Sequence, residues 1–262
     1  MGGPYAGGVT RIRGVAGYAG LPGTRACRVR GVHSSRRYRP HVGRFVVGFD
    51  LDMTLVDSRP GILATLAALE AESGAPVTDL HIDALLRRTL DLEMADRFPE
   101  IEARRLSDRF RVLYADIGVP GTELLPGAAE AVAAVRHHGG RVVVVTAKYE
   151  PNARRCLEHV GLHIGRDIDA VDGFRYGPGK TSALVEHGAA AYVGDTPTDV
   201  RAALAAGADM VAVATGPHPA PELHAAGSQV VLDSLNEFPA WLQGWVAARD
   251  WHRDWQQDCR RN

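Results

Sequence analysis

Two carboxylates, Asp50 and Asp52, stand one residue apart at the end of the apolar run 45–49 (Phe-Val-Val-Gly-Phe), with Thr54 two residues further on. Alternate residues of an extended chain point the same way, so both acids can face one site. Open α/β sheets place their chemistry at the C-terminal ends of their strands. Paired acids at such an end suit a hard cation such as Mg²⁺, with one carboxylate as nucleophile and the other as proton carrier. A lone Asp there would read as a turn cap; the pair with Thr54 asks for more.

Three further strand ends carry polar groups. Run 141–145 (Arg-Val-Val-Val-Val) leads into Thr146-Ala147-Lys148, which offers a hydroxyl and backbone amides to an anionic oxygen, or a cap to the next helix. Lys180 opens a helix in Gly177-Pro178-Gly179-Lys180-Thr181. A nucleotide-binding P-loop would need glycine at 174, where Phe174 stands, so that motif is excluded. Lys180 then reads as a neutraliser of a phosphoryl group or a carboxylate. Run 190–193 ends in Gly194-Asp195-Thr196-Pro197-Thr198-Asp199. Two acids four apart over such a turn can hold a divalent ion, one directly and one from behind. Helix capping by Thr198, with Asp199 in the first turn, would account for Asp199 but not for Asp195. Arginine supplies 28 of the 30 basic residues, and both lysines, Lys148 and Lys180, fall beside these motifs.

The elements that must position these groups alternate. Short apolar runs at 45–49, 141–145, 168–171, 190–193 and 210–213 read as strands buried on both faces. Helices are expected at 127–138, 152–160, 180–187 and 198–206, the last closed by Gly207. The pattern predicts an α/β fold with a doubly wound parallel sheet. Residues 60–122 break the alternation and look purely helical, with stripes Leu63, Leu66, Leu69 and Leu85, Leu86, Leu90, and a third helix from about 101 to 114. An insertion directly after the acidic strand end reads as a cap over the site. The expected organisation is an extension 1–43, a core of 44–58 and 123–240, a cap of 59–122, and a tryptophan-rich tail 241–262.

The chain has 262 residues, 45% apolar, and a formal charge of −1, so no global field points to nucleic acid or membrane. Residues 1–49 hold nine arginines and no acid, and 1–43 reads as a disordered Arg/Gly-rich extension rather than a nucleic-acid-binding arm. No run nears the roughly 18 apolar residues of a spanning helix. Cys27, Cys156 and Cys259 are widely separated and read as isolated thiols of a reducing, cytoplasmic setting. Trp241 with Trp245, and Trp251 with Trp255, are spaced to share helix faces that pack on the core or on a second copy, leaving monomer and homodimer both open.

Taken in order, Asp-x-Asp-x-Thr, then Thr, then Lys, then Gly-Asp-x-x-x-Asp resembles the haloacid dehalogenase superfamily of aspartate-nucleophile hydrolases over about residues 44–216. The resemblance is nearest the phosphatase branch with a helical cap, which includes phosphoglycolate phosphatases. It implies a Mg²⁺-dependent enzyme acting on a small phosphorylated metabolite. Asp50 would attack phosphorus and Asp52 would carry the proton. Thr146, Ala147 and Lys180 would receive the phosphoryl group. The Asp52 backbone carbonyl, Asp50 and Asp195 would ligate the metal, with Asp199 ligating or orienting from behind. Thr54 would orient Asp52, Asp57-Ser58 would lie at the cap hinge, and Arg88, Thr89 and Glu93 are the cap residues placed to meet substrate. Lys180-Thr181 departs from the Lys-Pro of the phosphoglycolate group. Asp52 separates the chain from the carbon–halogen hydrolases, and a cap without lysine separates it from phosphonate hydrolases. A phosphomutase and a non-catalytic binding module remain as alternatives.

Overall fold

The computed structural model describes residues 45–249; the N-terminal extension, Cys27, Cys259, Trp251 and Trp255 lie outside them. The sheet is built from β1 (Val46–Phe49), β4 (Arg141–Val145), β5 (Ala170–Asp172), β6 (Ala191–Gly194), β7 (Asp209–Val213) and β8 (Val230–Leu232), all parallel, in the order β5-β4-β1-β6-β7-β8. The chain runs outward from β1 through β4 to β5, then returns to β6 on the other side and continues to β8. The strand order therefore reverses at β1, which is where open α/β sheets leave a crevice for ligands. Asp50 sits at the end of that central strand.

Strand periodicity of two, in a sheet covered on both faces, demands two cores. Val142 and Val144 of β4 enter one, with Val47, Phe49, Val193 and Val211. Val143 and Val145 enter the other, with Val46, Tyr192 and Met210. Helices α5 (Ala128–His137), α6 (Glu150–His159) and α10 (Phe238–Ala248) cover the first face; α7 (Pro178–His187), α8 (Pro197–Ala206) and α9 (Ala220–Ala225) cover the second. Continuous Val runs are thus explained: every residue of the strand has an apolar face to fill.

The insertion comprises α1 (Arg59–Ser73), α2 (Ile82–Arg87), α3 (Leu90–Arg97) and α4 (Glu100–Asp116), one helix more than the sequence reading. These helices share a core of their own, in which Leu66, Leu69, Met94, Leu106 and Tyr114 are fully buried, and Cys156 of α6 joins it. Leu63, expected on the buried stripe with Leu66 and Leu69, is half exposed instead (49%). A two-stranded antiparallel ribbon of β2 (Val56–Asp57) and β3 (Glu123–Leu124) closes the base of the insertion. Neither of these strands nor β8 was expected. At that base a Cβ on Gly61 would lie 2.1 Å from the Gly118 carbonyl oxygen, so the entering helix and the leaving turn touch backbone to backbone.

Trp241 and Trp245 stack at 5.6 Å, Trp245 meets Phe45 edge-on, and its Nε1 donates to Asp209 at 2.6 Å. This pair therefore packs on the core. Among the described residues no helix is long and apolar enough to cross a membrane. Gly61→Ala should lower stability by about 1–3 kcal/mol, the usual cost of overpacking, read as a shift in the denaturation midpoint with unchanged slope.

Candidate active site

At the C-terminal edge of the sheet, β1 delivers Asp50, β4 delivers Thr146 and β6 delivers Asp195, while α7 and α8 add Lys180 and Asp199. All five are buried. The Lys180 ammonium lies 3.0 Å from Asp50 Oδ2 and donates to Asp199 Oδ1 at 2.6 Å. Carboxylate oxygens of Asp50, Asp195 and Asp199 come within 4.8 Å of one another. One cation thus faces three carboxylates in a water-poor cleft. The Asp50 carboxyl is pushed up to about 7, chiefly by burial, with Lys180 opposing the rise and Asp199 and Asp52 adding to it. Asp195 is likewise raised well above the carboxylate range, chiefly by burial and then by Asp199 and Asp50. Burial works against the Lys180 charge, but Asp199 and Asp50 outweigh it and hold the ammonium protonated.

This donor set fits a divalent cation. Asp50 Oδ1 is buried without a hydrogen-bond partner, a costly state unless something ligates it. Asp199 is already saturated: Oδ1 accepts from Lys180 and from Tyr192 Oη (3.2 Å), and Oδ2 accepts from the Thr196 amide and hydroxyl. Asp50, by contrast, keeps one oxygen free, and Asp195 has an oxygen not engaged by Thr54. All-oxygen ligation in so charged a pocket selects hard cations.

Local sequence explains how each group is held. The segment after β1 turns sharply because Met53 adopts a left-handed backbone (φ 60°), rare for a side chain of this size and typical of functional turns. Thr215 Oγ1 donates to the Met53 carbonyl at 2.5 Å and fixes the turn. The result brings Thr54 onto Asp195, to which its hydroxyl donates at 3.0 Å. The expectation that Thr54 orients Asp52 is thereby corrected: the turn carries its hydroxyl toward the neighbouring strand. Gly216 lies so close that a Cβ there would sit 1.8 Å from Asp195 Oδ2. Thr196 and Asp199 form a reciprocal capping box at the start of α8, rather than the Thr198 cap considered from sequence.

Asp52 lies apart from the three clustered carboxylates. Its Oδ1 accepts from Lys148 Nζ at 2.7 Å, and that ammonium also sits 4.3 Å from the Tyr114 ring centroid. Burial opposes the Lys148 charge, yet Asp52 and Tyr114 outweigh it and raise its pKa. Thr146 Oγ1 accepts from the Lys148 amide at 3.2 Å, which leaves its own proton free for an incoming oxygen. Asp50, Asp52, Thr146, Ala147 and Lys180 line one cleft, closed from the cap side by Arg87 and Arg88. Arg88 stands on that wall, but its guanidinium pairs with Glu93 (3.0 Å) and Asp96 (2.7 Å), and Thr89 caps α3 through Leu92. From the same wall Arg87 reaches across to the core, donating to the Pro217 carbonyl at 2.6 Å and lying 3.2 Å from His218 Nδ1. Sequence reading missed Arg87, Tyr192, Thr215 and Gly216. The Arg87-Arg88 doublet was a visible signal; the others carry none before the fold is known.

The family model of haloacid dehalogenase-like hydrolases matches residues 47–204, and a related hydrolase model matches 180–238. The chain belongs to the haloacid dehalogenase-like hydrolase family. It is 32% identical over 216 residues to a phosphoglycolate phosphatase of Rhodospirillum rubrum, covering 74% of this chain and 89% of that one. It is 31% identical over 187 residues to the protein named tyrosine-protein kinase PtkA of Mycobacterium tuberculosis, covering 65% and 62%. A haloacid dehalogenase-like hydrolase from Streptococcus pneumoniae has the same fold, with a TM-score of 0.65 at 20% identity, covering 76% of this chain and 98% of that one. The chain is accordingly an enzyme of the phosphatase kind.

Thr54→Val keeps shape and removes the hydroxyl that holds Asp195. Titration calorimetry should find divalent-cation affinity lowered by about 10–100-fold, the usual effect of losing a partner behind a metal ligand.

Proposed function

We propose that this enzyme hydrolyses small phosphate monoesters with Mg²⁺, through an aspartyl-phosphate on Asp50. The observation that carries the reading is the buried trio of Asp50, Asp195 and Asp199 around Lys180, with Asp50 Oδ1 unpartnered, beside Thr146 and Asp52. Phosphoryl transfer needs in-line positioning and charge neutralisation above all, and this cleft supplies both.

Magnesium, when bound by Asp50 and Asp195, supplies the positive charge that keeps these carboxylates ionised and draws charge from the transferring phosphoryl group. A carboxylate oxygen of Asp50 attacks phosphorus and the ester P–O bond breaks. Thr146 donates to a phosphoryl oxygen, and Lys180 offsets the charge that builds on it. Asp52 gives a proton to the leaving oxygen, so the alcohol departs neutral. It then removes a proton from the water that attacks the acyl phosphate, which frees Asp50 and releases inorganic phosphate. Lys148 occupies Oδ1 of Asp52 and leaves Oδ2 for these transfers. We also read the protein as cytoplasmic, in keeping with a soluble metabolite as substrate, and assign the region 59–122 as the cap that selects it.

The test is release of inorganic phosphate from a panel of monoesters with and without Mg²⁺, alongside Asp50→Asn. Turnover should vanish on chelation and return with Mg²⁺, and Asp50→Asn should lower kcat on the order of 10⁴-fold or more. Metal-independent turnover, a fully active variant, or transfer of phosphate to a second hydroxyl instead of water would each overturn the reading.

A further inference from the structure

Beyond Asp52 the cleft opens into a second chamber between cap and core, lined by an aromatic pair from each side. Phe110 and Tyr114 of α4 lie 5.6 Å apart, centroid to centroid, and Tyr149 and Phe174 of the core lie 5.2 Å apart. Phe174 is the unusual member. It holds a left-handed backbone (φ 55°), where a bulky side chain is strained, and the residue is 54% exposed. Burial does not compensate that strain. The ring packs on Tyr149 and lies 5.2 Å from the Arg111 guanidinium, and strain retained at the mouth of a site points to a use for it.

Charge in the chamber is balanced against anions. The Arg88 guanidinium faces Glu93 and Asp96; that of Arg111 faces Asp91 (2.5 Å) and Asp108 (2.8 Å). Of those four carboxylates only Asp91 lines the chamber with the two guanidiniums, and the remaining lining cation, Lys148, is taken by Asp52. A leaving group with its own carboxylate would find each cation of the lining already paired with an acid of the protein. One polar group is unclaimed: Asn152 lines the chamber, its Nδ2 donates to the Arg111 carbonyl at 2.9 Å, and its Oδ1 is buried without a partner. That orientation presents an acceptor, which calls for a donor and not for an anion.

We propose that the chamber binds the leaving group of the substrate, and that this group is uncharged and carries a planar ring, held between the two aromatic pairs with a donor toward Asn152. The assignment rests on the phosphatase reading of the site. It sets this chain apart from relatives named for phosphoglycolate, whose leaving group is anionic.

Three esters of primary alcohols keep the intrinsic chemistry comparable: benzyl phosphate, 2-hydroxyethyl phosphate and 2-phosphoglycolate. With Mg²⁺, kcat/KM should be highest for benzyl phosphate and at least about tenfold lower for 2-phosphoglycolate. Phe174→Gly removes the ring at a position whose backbone glycine adopts freely. It should lower kcat/KM for benzyl phosphate about five- to tenfold, in the range of one aromatic contact, and leave 2-hydroxyethyl phosphate unchanged. Preference for 2-phosphoglycolate, or an equal effect of Phe174→Gly on all three esters, would overturn the assignment while leaving phosphatase activity intact. Should no ester be turned over, the phosphatase reading fails, and calorimetric titration of the three esters into Asp50→Asn still decides the chamber: tighter binding of benzyl phosphate supports it, and equal or reversed affinities sink it.

Discussion

A buried ammonium, Lys180, held between Asp50 and Asp199, is the interaction on which the rest of the site depends. Taking an ammonium out of water is tolerable only beside carboxylates. Here they come from the end of β1 and the first turn of α8, while the lysine comes from α7. Three elements are thus tied at one point. Asp195 adds a third carboxylate, so acids outnumber the one cation three to one. Most of the neighbouring polar contacts follow from managing that excess: Tyr192 and Thr196 saturate Asp199, Thr54 holds Asp195, and Asp50 is left with one oxygen that only a cation satisfies.

The same geometry divides labour between two layers. Reaction groups sit on strand ends and helix starts of a sheet whose two faces are filled with Val, Ala and Leu, so they inherit its rigidity. The inserted helices have their own core and meet the sheet layer through the β2–β3 ribbon, Cys156, the Arg87 contact to Pro217 and the Asn152 contact to the Arg111 carbonyl. Lys148 links the two layers, gripping Asp52 with its ammonium while Tyr114 of α4 covers it. The inserted helices and Asp52 thus meet on that one side chain.

The legible part of this protein was the part governed by short-range pattern. Val142–Val145 and the Asp50/Asp52 pair announced a buried strand with chemistry at its tip, and Gly207 marked the end of α8. Residues read from type and order alone, Thr146, Lys180, Asp195 and Asp199, meet in one cleft although up to 149 positions separate them from Asp50. What stayed hidden depends on tertiary contact. β2 and β3 are two residues each, too short for periodicity, and exist because the ends of the insertion must meet. Thr54 could be placed near the site but not aimed, since its direction follows from the left-handed turn at Met53. Thr215 and Gly216 look like ordinary loop residues until the segment after β7 brings them against Met53 and Asp195. The exposed Leu63 shows the limit of a stripe: α1 buries a narrower face than its leucines suggest.

The account stands or falls on Asp50 being both metal ligand and nucleophile within this cluster. A crystal structure of the protein with Mg²⁺ and fluoroberyllate tests that directly. The account predicts beryllium bonded to an Asp50 oxygen, Mg²⁺ held by Asp50 and Asp195 at about 2.0–2.1 Å, and Lys180 still bridging Asp50 and Asp199. Fluoroberyllate on any other residue, or Mg²⁺ bound away from Asp50 and Asp195, would contradict it.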